Sequence, residues 1–343
     1  MHQLRDFIET LGLTHPLTFL ALFLGASLLM VWRLEAMMKH GLEGTALGTL
    51  VMPYCSGLGN LVFVYLVLRD DLAPREVLVN ALVNNVTNLT LLLGLPALLW
   101  SLDILPARQA AAASGKAARP AKRRNADDTA HRISRLSLLL TLAAVLFFTG
   151  AAWALGGDGS LGRADGLALV GLFLFWQCVQ VFDVLKHNVR TKTAFSALFY
   201  VDLVLLLAGA WVLYESLDWI VLWLMSGAGG GVLRAEHLGW LSGWLLVLPN
   251  AVLALYYAWR GRADVVYSSQ VGDGHICIPL CLGLCALARP VPLSPLFETG
   301  VYLLLGAVVV HAFFITLFGR LPRWAGGALV AAYGWFVYAG LIA

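Results

Sequence analysis

Apolar residues dominate ten stretches of this chain, each close to the roughly 20 residues that a helix needs to cross a bilayer. They fall at about 16–34, 45–69, 76–101, 135–156, 165–185, 196–224, 237–260, 264–288, 296–318 and 323–342. The pattern predicts an all-α membrane protein of about ten transmembrane helices. The one long polar interruption, Asp103 to Arg135, holds eight Lys or Arg against three Asp and is rich in Ala, Pro and Ser. It reads as a basic, flexible linker.

Two of the apolar hairpins repeat one another. The first runs from Leu50-Val51-Met52-Pro53 to Gly94, and the second from Leu246-Val247-Leu248-Pro249 to Gly283. Pro53 and Gly94 are 41 residues apart, Pro249 and Gly283 are 34, and the seven extra residues are expected in the polar loop Asp70 to Glu76. Duplicated segments interrupted by proline point to a transporter whose site lies between inverted repeats. Five helices separate span 2 from span 7, and an odd offset inverts the second copy. The expected organisation is therefore a first half at 1–102 (spans 1–3, repeat copy 45–101), the linker 103–135, spans 4–5 at 136–192, and a second half at 193–343 (spans 6–10, repeat copy 237–288).

Composition agrees with a membrane chain. It is 60% hydrophobic and 13% charged, against roughly 25% charged in soluble domains, with a mean hydropathy of +0.80. The expected partner is the lipid bilayer, and nothing points to nucleic acid. The loops at 186–192, 260–262 and 320–323 are basic like the linker, whereas those at 157–164, 225–236 and 289–295 carry one basic residue each. Positive loops stay inside, so the linker is expected to be cytoplasmic and both termini outside, in a bacterial inner (plasma) membrane. Arg5, Asp6 and Glu9 precede the first apolar run, with no small-residue cleavage site after it, so no cleavable leader is expected. Cysteines 55, 178, 277, 281 and 285 all lie in apolar stretches, as buried thiols do.

Polar side chains inside hydrocarbon are costly unless they face protein, water or an ion. The densest set is Asn80, Asn84, Asn85, Thr87, Asn88 and Thr90 in span 3. Amide oxygens and freed backbone carbonyls are ligands for hard cations. The competing reading is interhelical hydrogen bonding. Cys277, Cys281 and Cys285, at helical spacing in span 8 with His275 beside them, raise a soft-metal alternative, zinc or copper(I), at His275, Cys277 and Cys281, against simple close packing of small thiols. Asp183 and Asp202 fall near helix ends, where solvation is expected, and His311 reads as a satisfied helix contact. No phosphate loop, nucleophile–base pair or metalloprotease spacing occurs, so the chain does not read as an enzyme.

The run Val79 to Gly94 resembles the second helix of a repeat from the cation/calcium exchanger superfamily. That pattern, Gly-Asn-x-x-Gly-Ser-Asn-Ile-Phe-Asn before an apolar run and Leu-Gly, is matched at Asn80, Asn85, Asn88 and Gly94. The other copy, Ser269 to Gly283, matches at Gly272 and Gly283. Pro53 and Pro249 stand where the family has Gly-Thr-Ser-x-Pro-Glu. The resemblance implies two inverted five-helix repeats, helix breaks at Pro53, Pro249, Gly272 and Gly274, and a transported inorganic cation (calcium, sodium or proton) without a cofactor.

The departures are as informative. The calcium-binding glutamates of the family are replaced by Tyr54 and Asn250, and its sodium-binding serines by Val51, Ala81, Val247 and Gln270. Asn85 alone is retained as an implied ligand, and Asp273 lies one residue before a position where the family often has Asn or Asp. Losing two carboxylates disfavours a divalent cation. The implied ligands are thus Tyr54, Asn80, Asn84, Asn85, Asn88, Asn250, Gln270 and Asp273. The alternative functions are a non-transporting scaffold or sensor that keeps the exchanger fold, and a soft-metal transporter.

Overall fold

The computed structural model describes residues 14–38, 54–55, 57–100, 102–104, 121–188, 196–227, 233–272 and 274–341, with Ile8, Thr10, Gly12, His40, Val51 and Gly231. Ten helices carry it: α1 Pro16–Met37, α2 Leu58–Arg69, α3 Arg75–Leu99, α4 Ala121–Leu155, α5 Arg163–Asn188, α6 Ala197–Met225, α7 Leu238–Trp259, α8 Ala263–Ala288, α9 Pro295–Phe318 and α10 Arg323–Leu341. Among the described residues nine are long and apolar enough to cross a membrane, and α2 is a shorter apolar helix. The start of the expected span 45–69, with Pro53, lies outside the described residues. Large side chains such as Trp32, Phe175, Phe182 and Trp324 stand exposed on the helices. In an integral membrane protein that surface meets lipid rather than water.

Local sequence sets several helix limits. His15 caps α1 by accepting the Leu17 N–H at its Nδ1, and Pro16 occupies the first turn, where its missing N–H costs nothing. The helical trace of α4 begins at Ala121, well before the expected start near 135, because Ala, Lys and Arg are strong helix formers. The two repeat copies differ in length mainly in a helix. The first helix runs 16 residues past position 53 and its counterpart 10 past Pro249, whereas the following turns hold five and three residues. The extra residues were expected in the loop at 70–76, but apolar residues extend α2 instead.

Four two-residue strands form two antiparallel ladders. β1 (Leu102–Asp103), after α3, pairs with β4 (Arg320–Leu321), between α9 and α10. β2 (Ser160–Leu161), between α4 and α5, pairs with β3 (Val291–Pro292), after α8. The second ladder is the repeat image of the first. Each joins the end of one repeat copy to the last helical hairpin of the opposite half.

The described residues form two compact units, one of residues 1–84, 155–249 and 276–294, the other of 85–154, 250–275 and 295–343. The chain passes from one to the other inside α3, α7 and α8, at the end of α4 and just before α9. In the first unit α5 crosses the end of α8 at Gly166 and Gly283, where a Cβ on Gly166 would lie 2.7 Å from the Gly283 oxygen. In the second unit α10 crosses α3 at Gly326 and Gly94, where a Cβ on Gly326 would lie 2.6 Å from the Gly94 oxygen. Gly94 and Gly283 are the glycines that the sequence repeat aligned, and each admits a neighbouring backbone.

Candidate functional site

Helix α3 holds the amides. Asn80, Asn84, Asn85 and Asn88 are all at most 3% exposed, as are Thr90 and, nearly so, Thr87. In the first unit, Gly239 and Gly243 bring α7 against Val79 and Val83. That approach lets Asn80 Nδ2 donate to Ser242 Oγ at 3.0 Å and Glu76 Oε2 accept the Gly239 N–H at 2.8 Å. Asn84 Nδ2 donates to Asn60 Oδ1 at 3.5 Å, and Cys277 Sγ to Asn84 Oδ1 at 3.7 Å. Tyr54 is half-buried, its ring edge-on to Phe173 at 5.8 Å. Asn80 and Asn84 are therefore engaged in interhelical hydrogen bonding.

In the second unit, α3 widens into a π-turn at Thr87–Leu91 that contains Asn88. Thr87 Oγ1 donates to Tyr333 Oη at 3.3 Å, and Thr90 Oγ1 to the Val86 carbonyl. The position of a Cβ on Gly274 is 3.2 Å from Asn85 Oδ1, so a side chain there would crowd that amide. Gln270 is 1% exposed. Its Nε2 donates to the Asn250 carbonyl at 3.4 Å and to Ser269 Oγ at 2.9 Å, and Ser269 Oγ itself donates to Val266 O. Both acceptors fix the amide's orientation. Its Oε1 is left buried with no donor among the described residues. A buried carbonyl oxygen without a donor is an uncommon and costly arrangement.

One helix-break expectation meets a continuous helix. Pro249 lies buried within continuous α7, so it removes one backbone donor without interrupting the helix. Gly272 and Gly274 both lie within α8. Asp273, between them, lies outside the described residues, as does Pro53.

The soft-metal alternative finds no support. Among the described residues no group of three or more His, Cys, Asp or Glu is placed to hold a metal ion. His275 Nε2 donates to the Thr141 carbonyl at 2.9 Å, and Cys277 is engaged with Asn84. Cys281 is buried in a π-turn at Cys277–Leu282.

Buried ionic groups were underestimated from sequence. Asp202 is 3% exposed rather than solvated, accepting from Arg33 Nη1 at 3.1 Å and bonded to His40 Nδ1 at 2.7 Å. Proximity to a helix end misleads here, because α1 covers that end of α6. The side chain of Asp183 lies outside the described residues. Glu215 and Asp218, buried and not singled out from sequence, sit in the second half of α6. Arg69 Nη2 meets Asp218 Oδ1 at 2.6 Å, and its Nη1 donates to Tyr214 Oη at 2.9 Å. An arginine closing α2, with acids three residues apart in an apolar run, was the available signal. His311 is a satisfied contact, as expected: Nε2 bonds to Leu89 O at 2.8 Å and Nδ1 to Tyr267 Oη at 3.3 Å.

Comparison with solved structures places this fold. The sodium-calcium exchanger NCX_Mj soaked with 10 mM Na+ and zero Ca2+ matches with a TM-score of 0.65 at 19% identity, over 97% of this chain and 99% of that one. The same exchanger soaked with 2.5 mM Na+ and 10 mM Sr2+ gives 0.66 over the same shares. Soaked without Na+ and Ca2+, it gives 0.65 at 18% identity, over 96% and 99%. No curated protein matches the sequence. The family model described as sodium/calcium exchanger protein matches residues 15–182 and 197–341, most of the chain in two segments. The chain is thus a multi-pass integral membrane protein that belongs to the sodium/calcium exchanger protein family.

Proposed function

We propose that this protein is a secondary cation transporter working by alternating access, and that its cargo is a monovalent cation or a proton rather than calcium. One observation carries the reading: Gln270 Oε1, buried and without a donor among the described residues, in an amide whose nitrogen is committed to Asn250 O and Ser269 Oγ. A cation is the partner such an oxygen accepts. Asn85 and Asn88 supply further buried amides, and Asp273 is the proposed charged ligand or proton carrier. Tyr54 and Asn250 bring no charge where the family has carboxylates. Of the four buried carboxylates among the described residues, Glu76, Asp202 and Asp218 are each paired with an arginine, and Glu215 stands on α6. The low anionic charge supports a monovalent cargo, since a divalent ion in a dry site needs carboxylates to offset its dehydration. The proposed setting is a bacterial inner membrane, with both termini outside and the 103–135 segment cytoplasmic.

Purified protein in proteoliposomes tests this by uptake of sodium, potassium, calcium, manganese and zinc under sodium or pH gradients. Gln270→Leu and Asp273→Asn are run alongside. The expected result is flux of one monovalent ion or of protons, with KM raised about tenfold in Gln270→Leu, the loss of roughly 1.4 kcal/mol of binding. Calcium flux insensitive to both variants would overturn the monovalent reading. No flux of any ion from folded protein would leave the scaffold reading ahead.

A further inference from the structure

The π-turn of α3 has a tertiary partner in the second unit. His311 of α9 and Tyr267 of α8 are both fully buried, with their rings edge-on at 5.5 Å. The imidazole Nε2 lies 2.8 Å from the carbonyl of Leu89, the middle residue of the Thr87–Leu91 turn. A carbonyl only accepts, so Nε2 carries the proton. In the neutral ring Nδ1 then accepts from the Tyr267 phenol. This chain of hydrogen bonds runs from α8 through α9 to the one turn of α3 that departs from α-helical register.

A π-turn holds one residue more than an α-turn and persists where outside bonds compensate for its poorer ladder. Restoring α-register would rotate one side of the turn by about 100° against the other. Gly94, pressed against Gly326, fixes the C-terminal side. Gly239 and Gly243 hold the N-terminal side against Val79 and Val83, so the change falls on the stretch between, where Asn85 and Asn88 lie. We propose that His311 is a positioning residue: it clamps the first π-turn at Leu89 O and so sets where Asn85 and Asn88 present their amides. The clamp is a property of the fold. Its consequence for cation affinity rests on the transport reading above.

Hydrogen–deuterium exchange on the full-length protein separates the two. His311→Ala is expected to speed exchange in residues 87–94 by about tenfold, the change that one hydrogen bond of ordinary net worth produces. His311→Gln, which keeps a donor near the Nε2 position, is expected to restore most of the protection. Tyr267→Phe, which keeps the ring and removes the phenol, is expected to give a smaller increase at the same residues. In the proteoliposome assay with the same ion panel, His311→Ala is expected to raise KM more than it lowers the maximal rate, with rescue in His311→Gln. Unchanged exchange at 87–94 in His311→Ala would overturn the clamp. So would an equal rise across all helices with no rescue by glutamine, which marks general loosening. Wild-type protein that moves no ion while the exchange pattern holds would sink the transport reading and leave the clamp standing.

Discussion

The two repeat copies reach the same backbone shape by different chemistry. Each second helix, α3 and α8, contains a π-turn a few residues before the glycine that admits a crossing helix. In α8 the turn Cys277–Leu282 contains Pro279, which has no N–H to give the α-helical ladder. That departure is covalent. In α3 the turn contains no proline and is tied by side chains: Thr90 to Val86 O, Thr87 to Tyr333, and His311 to Leu89 O. The first turn is therefore conditional on its neighbours, whereas in the second the missing N–H is built into the chain. The amide of Asn88 stands on the conditional turn, and the small thiols of Cys277 and Cys281 on the fixed one.

The glycine crossings offer the hardest test of this likeness. Gly94→Ala would set a Cβ 2.8 Å from the Gly326 oxygen, whereas Gly283→Ala meets its nearest atom, a Val170 methyl, at 3.0 Å. Both are expected to lower the melting temperature in detergent, with a cost of about 1–3 kcal/mol for overpacking, and Gly94→Ala the more. Equal losses would mean that the side-chain contact yields no better than the backbone one. Next in size is Asn84→Ala, which removes the partner of buried Asn60 and is expected to cost about 1–2 kcal/mol. Cys277→Ala, on the other side of the same amide, should cost less than 1 kcal/mol, roughly the worth of a weak thiol donor. A cysteine effect as large as the asparagine effect would erase the distinction between the amide and thiol copies.

Pro279→Ala sharpens the contrast between the turns. Supplying the missing N–H is expected to slow amide exchange across 275–283 while leaving residues 87–94 unchanged. Faster exchange at 275–283 would show that the proline is needed to keep that turn. The smallest effect belongs to Arg289→Ala. Its pair with Asp71 is 2.6 Å long, but Asp71 is largely exposed, so a melting shift worth under about 1 kcal/mol is expected.

The sequence repeat was legible because its landmarks are covalent. Gly94 and Gly283 are aligned by counting, and both prove to be crossing points. The amides of α3 were legible because polar residues in an apolar run have no other place to hide. What was not legible depends on register and on partners distant in the chain. A shift from i+4 to i+5 hydrogen bonding leaves no compositional mark, so neither π-turn was foreseen, and His311 gave no sign of meeting one. Asp202 looked solvated because its distance from a helix end was visible and the covering helix was not. Pro249 looked like a break because proline often makes one, yet a single missing donor left α7 continuous.

The strand ladders have a consequence for how the chain is made. Each short ladder joins residues about 130–220 positions apart, and each takes one strand from either half. During synthesis, β1 and β2 leave the ribosome long before β3 and β4 exist to pair with them. The unit containing β2 and β3 has its last segment at 276–294, while the other awaits 295–343. The order of synthesis thus completes one unit once β3 follows α8, and the other, with the π-turn of α3, only with α9 and α10.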